Sequence, residues 1–168
     1  MKPQDLKEFP LVSTDKLRYG DTDRQGHVNN AVFMTFLETG RVEVLHTPDN
    51  PLYDDNAEFV LVNLNLDLQG EIRWPGEVEI GTCVSKIGNS SITLYQRVFQ
   101  NGVCVASADS VVVQMNTTTR KSQALSEITR TALSAFIRQS EKDLKRGSLE
   151  DPNRPMSFYT TSNDQDLF

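Results

Sequence analysis

The sequence predicts an α+β fold in which one long central helix is wrapped by an antiparallel sheet of about five strands. Three observations support this prediction. A single stretch of helical spacing, 31–45, follows a short first strand. Four later runs show the alternation of half-buried strands, and short turns join them, so neighbours pair antiparallel. A second helical stretch begins near residue 127 and predicts an additional C-terminal helix.

The first half of the chain is expected to form a strand, a polar loop and the central helix. The strand is predicted over 15–19, after an apolar run at 9–12, and the loop covers 21–29. Asn29 or Asn30 is available as the N-cap of the helix, and Pro48 ends it. One face of the helix is apolar or small, with Phe33, Phe36, Leu37, Gly40 and Val44.

The second half is expected to supply the other strands, at 60–68, 78–84, 92–98 and 103–115. Turn residues separate them, and Asn101-Gly102 is a strong hairpin signal. In the last strand we expect one face to carry Val103, Val105, Val111 and Val113. Ser126 is the predicted cap of a helix over 127–145. We expect 1–146 to form one domain and 147–168, rich in Pro, Ser, Asn and Asp, to form a flexible tail.

Composition excludes several function classes. The chain has 168 residues with a formal net charge of -6, which argues against nucleic acid as a partner. Cys83 and Cys104 have no metal-binding spacing and fit small buried residues of a reducing compartment. The N-terminal sequence lacks a signal-peptide pattern, and no apolar run reaches the roughly 20 residues of a membrane span. We therefore expect a cytoplasmic protein without a membrane partner.

The segment 19–30 concentrates polar groups at the entrance to the central helix. The first N–H groups of a helix lack internal partners, so they stabilise a carbonyl oxygen or an oxyanion placed there. Asp23 lies seven residues before Asn30 and can face the same space. A carboxylate beside such a site can hydrolyse an acyl bond, by activating water or by direct attack. The same residues also fit an ordinary loop with side-chain turns and a helix cap.

The run 19–41 resembles the signature of hotdog-fold acyl-CoA thioesterases of the 4-hydroxybenzoyl-CoA thioesterase type. The residues that carry this resemblance are Asp23, Gly26-His27-Val28-Asn29-Asn30, Phe36, Glu38 and Arg41. The His-Val-Asn-Asn form is most similar to the long-chain acyl-CoA thioesterase branch. The element order and the turns at 75–77 and 88–91 extend the resemblance over residues 14–136.

The resemblance implies a hotdog fold and a reaction at a subunit interface of a homodimer or homotetramer. An acyl-CoA, or an acyl-carrier-protein thioester, reacts with water to give a carboxylic acid and a free thiol, with no metal and no cofactor. Asp23 is then the general base or the nucleophile, and the backbone N–H near Asn30 polarises the thioester carbonyl. Tyr19, Gly26, Asn29 and Ser91 are the expected substrate-binding residues, with Ser91 reaching a partner's site or only satisfying a strand end.

The role of His27 has two interpretations. Its side chain can orient water or protonate the leaving thiolate, or it can shape the loop through hydrogen bonds. Plant acyl-carrier-protein thioesterases share a related pattern but carry Asn where this chain has Gln25, which weakens the catalytic interpretation. Glu38 and Arg41 are expected to pair on the helix. Cations available for CoA phosphates, or simply for the solvated surface, are Arg73, Lys86, Arg97, Arg120 and Lys121.

Two other function classes fit the same fold. A hotdog protein that binds acyl-CoA without turnover retains affinity when Asp23 is replaced. A hotdog dehydratase or hydratase adds or removes water without releasing thiol, and this chain lacks the hydratase motif. The presence of Asp23 speaks against the non-catalytic binding protein, and the missing hydratase motif ranks the dehydratase or hydratase last.

Overall fold

The computed structural model describes residues 2–47 and 50–137, which contain seven strands and two α-helices. The strands are β1 (Leu11–Lys16), β2 (His46–Thr47), β3 (Asn50–Pro51), β4 (Ala57–Leu68), β5 (Glu77–Ile87), β6 (Ser91–Gln100) and β7 (Val103–Asn116). The helices are α1 (Val32–Leu45) and α2 (Glu127–Ser134), and 3₁₀ turns lie at Leu6–Glu8 and Tyr19–Asp21. The predicted tail 147–168 and positions 138–145 of the predicted last helix lie outside the described residues.

One antiparallel sheet has the strand order β1-β5-β6-β7-β4, and the pair β2-β3 stands apart from it. The predicted fold class is therefore confirmed. The turn at Asn101 and Gly102 has positive φ at both residues, 52° and 76°, as a tight hairpin between β6 and β7 requires. β1 and β4 are the two edges of this sheet.

Helix α1 packs one face on the sheet, as its spacing predicts. Its buried residues are Phe33, Phe36, Leu37, Gly40, Arg41, Val44 and Leu45. The first half of α1 shares a core with Ile80 and Val98, and the second half shares one with Ile92 and Val112. Burying each such side chain contributes roughly 1.5–3 kcal/mol.

The closest approach of α1 to the sheet occurs at Gly40. A Cβ there would lie 2.5 Å from Thr82 Oγ1 and 2.7 Å from Gln96 Nε2. Gln96 is fully buried and donates to the Leu37 carbonyl at 2.9 Å and to Thr82 Oγ1 at 3.1 Å. A polar side chain of the sheet therefore bonds to the backbone of α1 at the point where the helix has no side chain.

The opposite face of the sheet is covered by the N-terminal segment. The Phe9 ring stacks on Tyr95 with centroids 6.1 Å apart and fills the space over Gly81, where a Cβ would lie 2.5 Å from the ring. Arg97 on the same face donates through Nε to Cys104 Sγ at 3.0 Å. These contacts bury the outer face of β5 and β6.

Two predicted details of the strands are wrong. The first strand runs over Leu11–Lys16 rather than 15–19, because Leu17 N–H bonds to Gly76 and the chain then turns at Tyr19–Asp21. In β7 the pairing shifts between Val98 and Phe99, which leaves Val105 as an extra residue. Such a bulge reverses the alternation beyond it. The helix-facing residues are therefore Ala106, Ala108, Ser110 and Val112, whereas Val111 and Val113 lie on the outer face.

The C-terminal helix is shorter than predicted. Ser126 caps α2 as expected, since its Oγ accepts from Thr129 N–H at 3.1 Å. The helix ends at Ser134 and not at residue 145, and Ile137 instead forms a bridge with Val84. The Phe136 carbonyl accepts from Val84 N–H at 2.8 Å, so a strand-like contact ends the helix.

Asp54 fastens the start of α2 to the body of the fold. Its carboxylate accepts from Ser126 N–H at 2.9 Å, Gln114 Nε2 at 2.9 Å and Thr129 Oγ1 at 3.1 Å. Burial acts to raise the pKa of Asp54, but these hydrogen bonds outweigh it and lower the pKa below the ordinary value.

Within residues 2–47 and 50–137, no helix has the length and apolar character needed to cross a membrane.

Candidate active site

The loop that carries Asp23 is a tight turn held by its own backbone. Thr22 and Val28 form an antiparallel bridge, and Asp23 N–H donates to the His27 carbonyl at 2.8 Å. Gly26 N–H donates to the Asp23 carbonyl at 3.1 Å, and Gly26 has φ of 80°, where a side chain is strained. Val28 N–H bonds to Ile72 at 2.9 Å, which ties the turn to the segment before β5.

The Asp23 carboxylate is half-buried and anchored by one oxygen. Oδ1 accepts from Gln25 N–H at 2.8 Å and from His27 N–H at 3.3 Å. Oδ2 has no protein hydrogen-bond partner among the residues that the structure describes. The loop therefore fixes the orientation of the carboxylate and leaves one oxygen available to a reactant.

The same loop leads directly into α1. Asn29 N–H donates to the Asp21 carbonyl at 2.8 Å, and Asn29 Oδ1 accepts from Ala31 N–H at 3.0 Å. The predicted cap by Asn29 or Asn30 is therefore wrong in detail, because Ala31 occupies the cap position without a side-chain bond. Asn30 is exposed and, in the described part of the chain, has no hydrogen bond through its backbone or side chain. An unpaired N–H thus lies at the start of the helix.

The His27 imidazole points to an ion pair rather than to Asp23. Nε2 lies 3.1 Å from Glu71 Oε2 and 2.9 Å from Arg73 Nη2. Arg73 Nη2 also donates to Glu71 Oε2 at 2.8 Å. A single ring nitrogen either donates to Glu71 or accepts from Arg73, so both contacts cannot be hydrogen bonds at once. His27 therefore contributes its backbone N–H to Asp23 and its side chain to the neighbouring segment.

The segment between β4 and β5 forms the other side of the candidate site. Gln100 holds the Arg73 backbone with two bonds, from Arg73 N–H to Oε1 at 3.0 Å and from Nε2 to the Arg73 carbonyl at 2.7 Å. The next residue, Trp74, meets Tyr19 edge to face with ring centroids 5.5 Å apart. Sequence reasoning does not single out Glu71, Trp74 or Gln100, although an aromatic residue beside the Pro75-Gly76 turn is a usable signal.

Ser91 lies far from this loop within one chain. It begins β6 beside the Gly88 turn, whereas the Asp23 loop adjoins the start of β5. β5 spans Glu77 to Ile87, which corresponds to about 33 Å at about 3.3 Å per residue. The structure brings together Tyr19, Asp23, Gly26, His27, Asn29 and Asn30, and it does not bring Ser91 to them.

Arg41 is the buried charge on α1. It is 7% exposed, and its Nη1 has no hydrogen-bond partner among the described residues. Burial lowers the pKa of Arg41, and the negative charge of Glu38 opposes that shift. In the described part of the chain no ion pair joins the two, so the expected Glu38–Arg41 pair is not formed.

The candidate cations separate by position. Arg73 lies beside the Asp23 loop, whereas Arg97 lies on the outer face of the sheet and Arg120 pairs with Glu58 at 3.0 Å. Cys83 and Cys104 form no disulfide, and residues 2–47 and 50–137 hold no group of three metal-ligating side chains.

Comparison with known proteins gives one family match. Residues 17–134 match the profile of the Thioesterase-like superfamily, which is more than half of the chain. Among curated proteins, no match is found.

Solved structures show the same fold. A predicted thioesterase from Bacillus stearothermophilus is 30% identical with a TM-score of 0.70, and the alignment covers 77% of this chain and 97% of that one. A thioesterase from Thermus thermophilus, complexed with coenzyme A and zinc, is 28% identical with a TM-score of 0.69, over 80% and 98% of the two chains. A DHNA-CoA thioesterase from Staphylococcus aureus, 17% identical with a TM-score of 0.65 over 86% and 97%, shows the fold alone.

These neighbours have the hotdog fold, and the long helix on the five-stranded sheet is the same arrangement. The resemblance found in the loop and the match over residues 17–134 agree on one assignment. The chain is a member of the Thioesterase-like superfamily.

Proposed function

We propose that this protein is an acyl-CoA thioesterase that hydrolyses an acyl-CoA to a free carboxylic acid and CoA. The observation that carries the proposal is the Asp23 carboxylate, anchored through Oδ1 with Oδ2 available, in the loop that enters α1. Membership of the Thioesterase-like superfamily supports the reaction class. The His27-Val28-Asn29-Asn30 sequence favours the long-chain acyl branch within it.

The reaction needs a group that delivers oxygen to the thioester carbon. As a general base, Asp23 takes a proton from water, and the hydroxyl oxygen attacks the carbonyl. As a nucleophile, its Oδ2 attacks directly, and water then hydrolyses the resulting anhydride. In both cases the C–S bond breaks, and the thiolate leaves and takes up a proton.

The carbonyl oxygen needs a donor as charge develops on it. The Asn30 N–H is suited to this, since it is unpaired and lies at the positive end of α1. A fixed backbone donor of this kind typically contributes a factor of about 10² to 10³ in rate. The substrate-binding residues of the proposal are Tyr19, Gly26 and Asn29, which belong to the same segment 19–30.

We place the complete site at the interface of a homo-oligomer. β4 is a 12-residue edge strand with exposed Leu61 and Val62, and pairing with a second copy satisfies its open edge. A two-fold axis reverses the direction of the second chain, so the Ser91 end of one subunit approaches the Asp23 end of the other. We further propose a cytoplasmic location, because Cys83 and Cys104 form no disulfide and thiols persist in a reducing compartment.

The decisive experiment measures thiol release from short, medium, long and aromatic acyl-CoAs by wild type and by Asp23→Asn. We expect turnover that falls at least about 100-fold in Asp23→Asn, the low end for losing a positioned acid or base. Asn30→Ala is the matched control at the helix start, because it keeps the backbone N–H and loses little activity.

Absence of turnover on every acyl-CoA, or equal rates for wild type and Asp23→Asn, contradicts the proposal. A single turnover in H₂¹⁸O separates the two roles of Asp23. A nucleophile places unlabelled carboxylate oxygen in the first product, whereas a general base places ¹⁸O there.

A further inference from the structure

Two aromatic side chains lie exposed beside the Asp23 loop. Tyr19 is 74% exposed and Trp74 is 47% exposed, and each presents ring surface to solvent beyond their mutual edge-to-face contact. Two adjacent exposed rings leave apolar surface on which a ligand can pack. The faces of the two rings can stack on the planar ring of a nucleotide base, whatever substituents the base carries.

This aromatic pair sits on a backbone that is already ordered. Gln100 bonds both sides of the Arg73 peptide, and Leu17 N–H bonds to the Gly76 carbonyl at 3.0 Å. Trp74 lies between these two hydrogen-bonded residues, Arg73 and Gly76. A ligand that stacks on it therefore does not need to order the segment first, which favours affinity.

A cation with unused donors lies next to the pair. Arg73 is 64% exposed and uses Nη2 for Glu71 and His27. Its Nε and Nη1 groups have no partner within residues 2–47 and 50–137. The planar guanidinium fork matches phosphate oxygens. Arg24, at the tip of the Asp23 turn, is also exposed. Arg24 and Arg73 thus lie on and beside the Asp23 loop, where Glu71 pairs with Arg73 through Nη2 only.

We propose that Tyr19, Trp74 and Arg73 form the binding surface for the nucleotide end of CoA, with the adenine on the rings and phosphate on the guanidinium. This inference rests on the proposed function for the identity of the substrate. It also selects between the two carriers, since a carrier protein presents phosphopantetheine without adenine. The Tyr19–Trp74–Arg73 surface thus makes CoA the preferred carrier of the acyl group.

The binding test uses 3′,5′-ADP, which carries the adenine and phosphates but no thioester. Trp74 is the single tryptophan of the chain, so its fluorescence reports directly on the surface. We expect saturable quenching in wild type and unchanged quenching in Asp23→Asn. Tyr19→Ala and Arg73→Ala each weaken binding by about 5- to 100-fold, the range of a lost stacking or charged contact. Arg120→Ala, an equally exposed and ion-paired arginine, has no effect.

The kinetic test compares an acyl-CoA with the same acyl group on pantetheine. Trp74→Ala and Arg73→Ala raise KM for the acyl-CoA about 5- to 100-fold and raise KM for the acyl-pantetheine much less. Light scattering confirms that each variant keeps the oligomeric state of wild type.

Three outcomes overturn the inference: no response of Trp74 to 3′,5′-ADP, equal KM changes for both substrates, or a changed oligomeric state that assigns the surface to a subunit interface. If acyl-CoA is hydrolysed but Trp74 fluorescence does not respond to 3′,5′-ADP, the proposed function stands and the nucleotide-binding surface is refuted. Quenching by 3′,5′-ADP without any thioester hydrolysis supports the surface and refutes the enzyme.

Discussion

At the scale of single residues, the candidate site depends on an asymmetry within one carboxylate. Asp23 Oδ1 is fixed by two backbone N–H groups of its own turn, and Oδ2 has no partner among the described residues. Gly26 permits that turn through its positive φ. The sequence predicts both residues, because the turn is local. Glu71 and Arg73 contact His27 from more than 40 positions away along the chain, so local pattern does not reveal them.

His27 is expected to matter less for turnover than Asp23. Its ring engages Glu71 and Arg73, and its backbone N–H, which any residue retains, supports Asp23. His27→Ala therefore lowers kcat by no more than about 10-fold, against at least about 100-fold for Asp23→Asn. Thiol-release assays under saturating acyl-CoA measure both, with His46→Ala as the control. A loss equal to that of Asp23→Asn assigns His27 a direct catalytic role.

At the scale of elements, two residues determine how α1 packs on the sheet: Gly40, which has no side chain, and Gln96, whose side-chain amide is buried. Gly40 lets the helix backbone reach Thr82 and Gln96, and Gln96 bonds to the Leu37 carbonyl. The helical face is predictable from spacing because apolar periodicity is local. The extra residue of β7 at Val105 is not predictable from spacing. It depends on the Val105 carbonyl, which accepts from the N–H groups of Gln69 and Gly70, distant in the chain. The early end of α2 likewise depends on Val84.

Gly40→Ala is expected to destabilise the fold by about 2 kcal/mol, the usual range for an overpacked interior contact. The added methyl group collides with Thr82 and Gln96, and both are buried and bonded to each other. Urea unfolding followed by circular dichroism measures the loss. Gly20→Ala is the control, because a Cβ there meets nothing within 4 Å. Equal urea unfolding midpoints for Gly40→Ala and Gly20→Ala contradict the proposed close packing of α1 on the sheet at Gly40.

Acid is expected to weaken the α2 attachment through Asp54. Its pKa in the folded state lies below the unfolded value of about 3.9, so the carboxylate stabilises the fold above that pH. The contribution is lost as pH falls through the folded-state pKa. Asp54→Asn lowers stability by roughly 2 kcal/mol at pH 7, and the difference from wild type narrows as pH falls below about 4. Urea unfolding midpoints of wild type and Asp54→Asn, measured from pH 7 to below pH 4, test this prediction. The control is Asp55→Asn, a change at the exposed neighbouring residue that is expected to leave the midpoint unchanged.

At the scale of the whole molecule, the described sheet carries α1 on one face and has two edges, β1 and β4. The N-terminal segment covers the outer face of β5 and β6, while β4 pairs only with β7. The sequence predicts an open antiparallel sheet and therefore an assembly. The identity of the edge follows only from the strand order, which local signals do not determine.

Val62→Arg is expected to convert the assembly into monomers. Val62 is 57% exposed on β4, and a charge there opposes pairing of that edge with a second copy. Light scattering coupled to size exclusion gives the mass, and thiol release gives the accompanying loss of turnover. Ile128→Arg, at a residue of α2 that is 83% exposed, keeps both mass and activity. A wild-type monomer that turns over acyl-CoA contradicts the interfacial site.

The contact at Gly40 also fixes the position of the start of α1, which the proposed reaction uses. Gly40 lies eight positions after Val32, the first residue of α1, so about 12 Å of helix at 1.5 Å per residue separates this contact from the helix start, next to the Asn30 N–H. A helix that slipped by one residue on the sheet would advance that N–H by about 1.5 Å and rotate it by about 100°. Misplacement by about 1 Å is enough to cost a reaction about 10²-fold. Gly40 in the core therefore fixes the position of the helix start, about two helical turns away, where the Asn30 N–H meets the carbonyl oxygen in the proposed reaction.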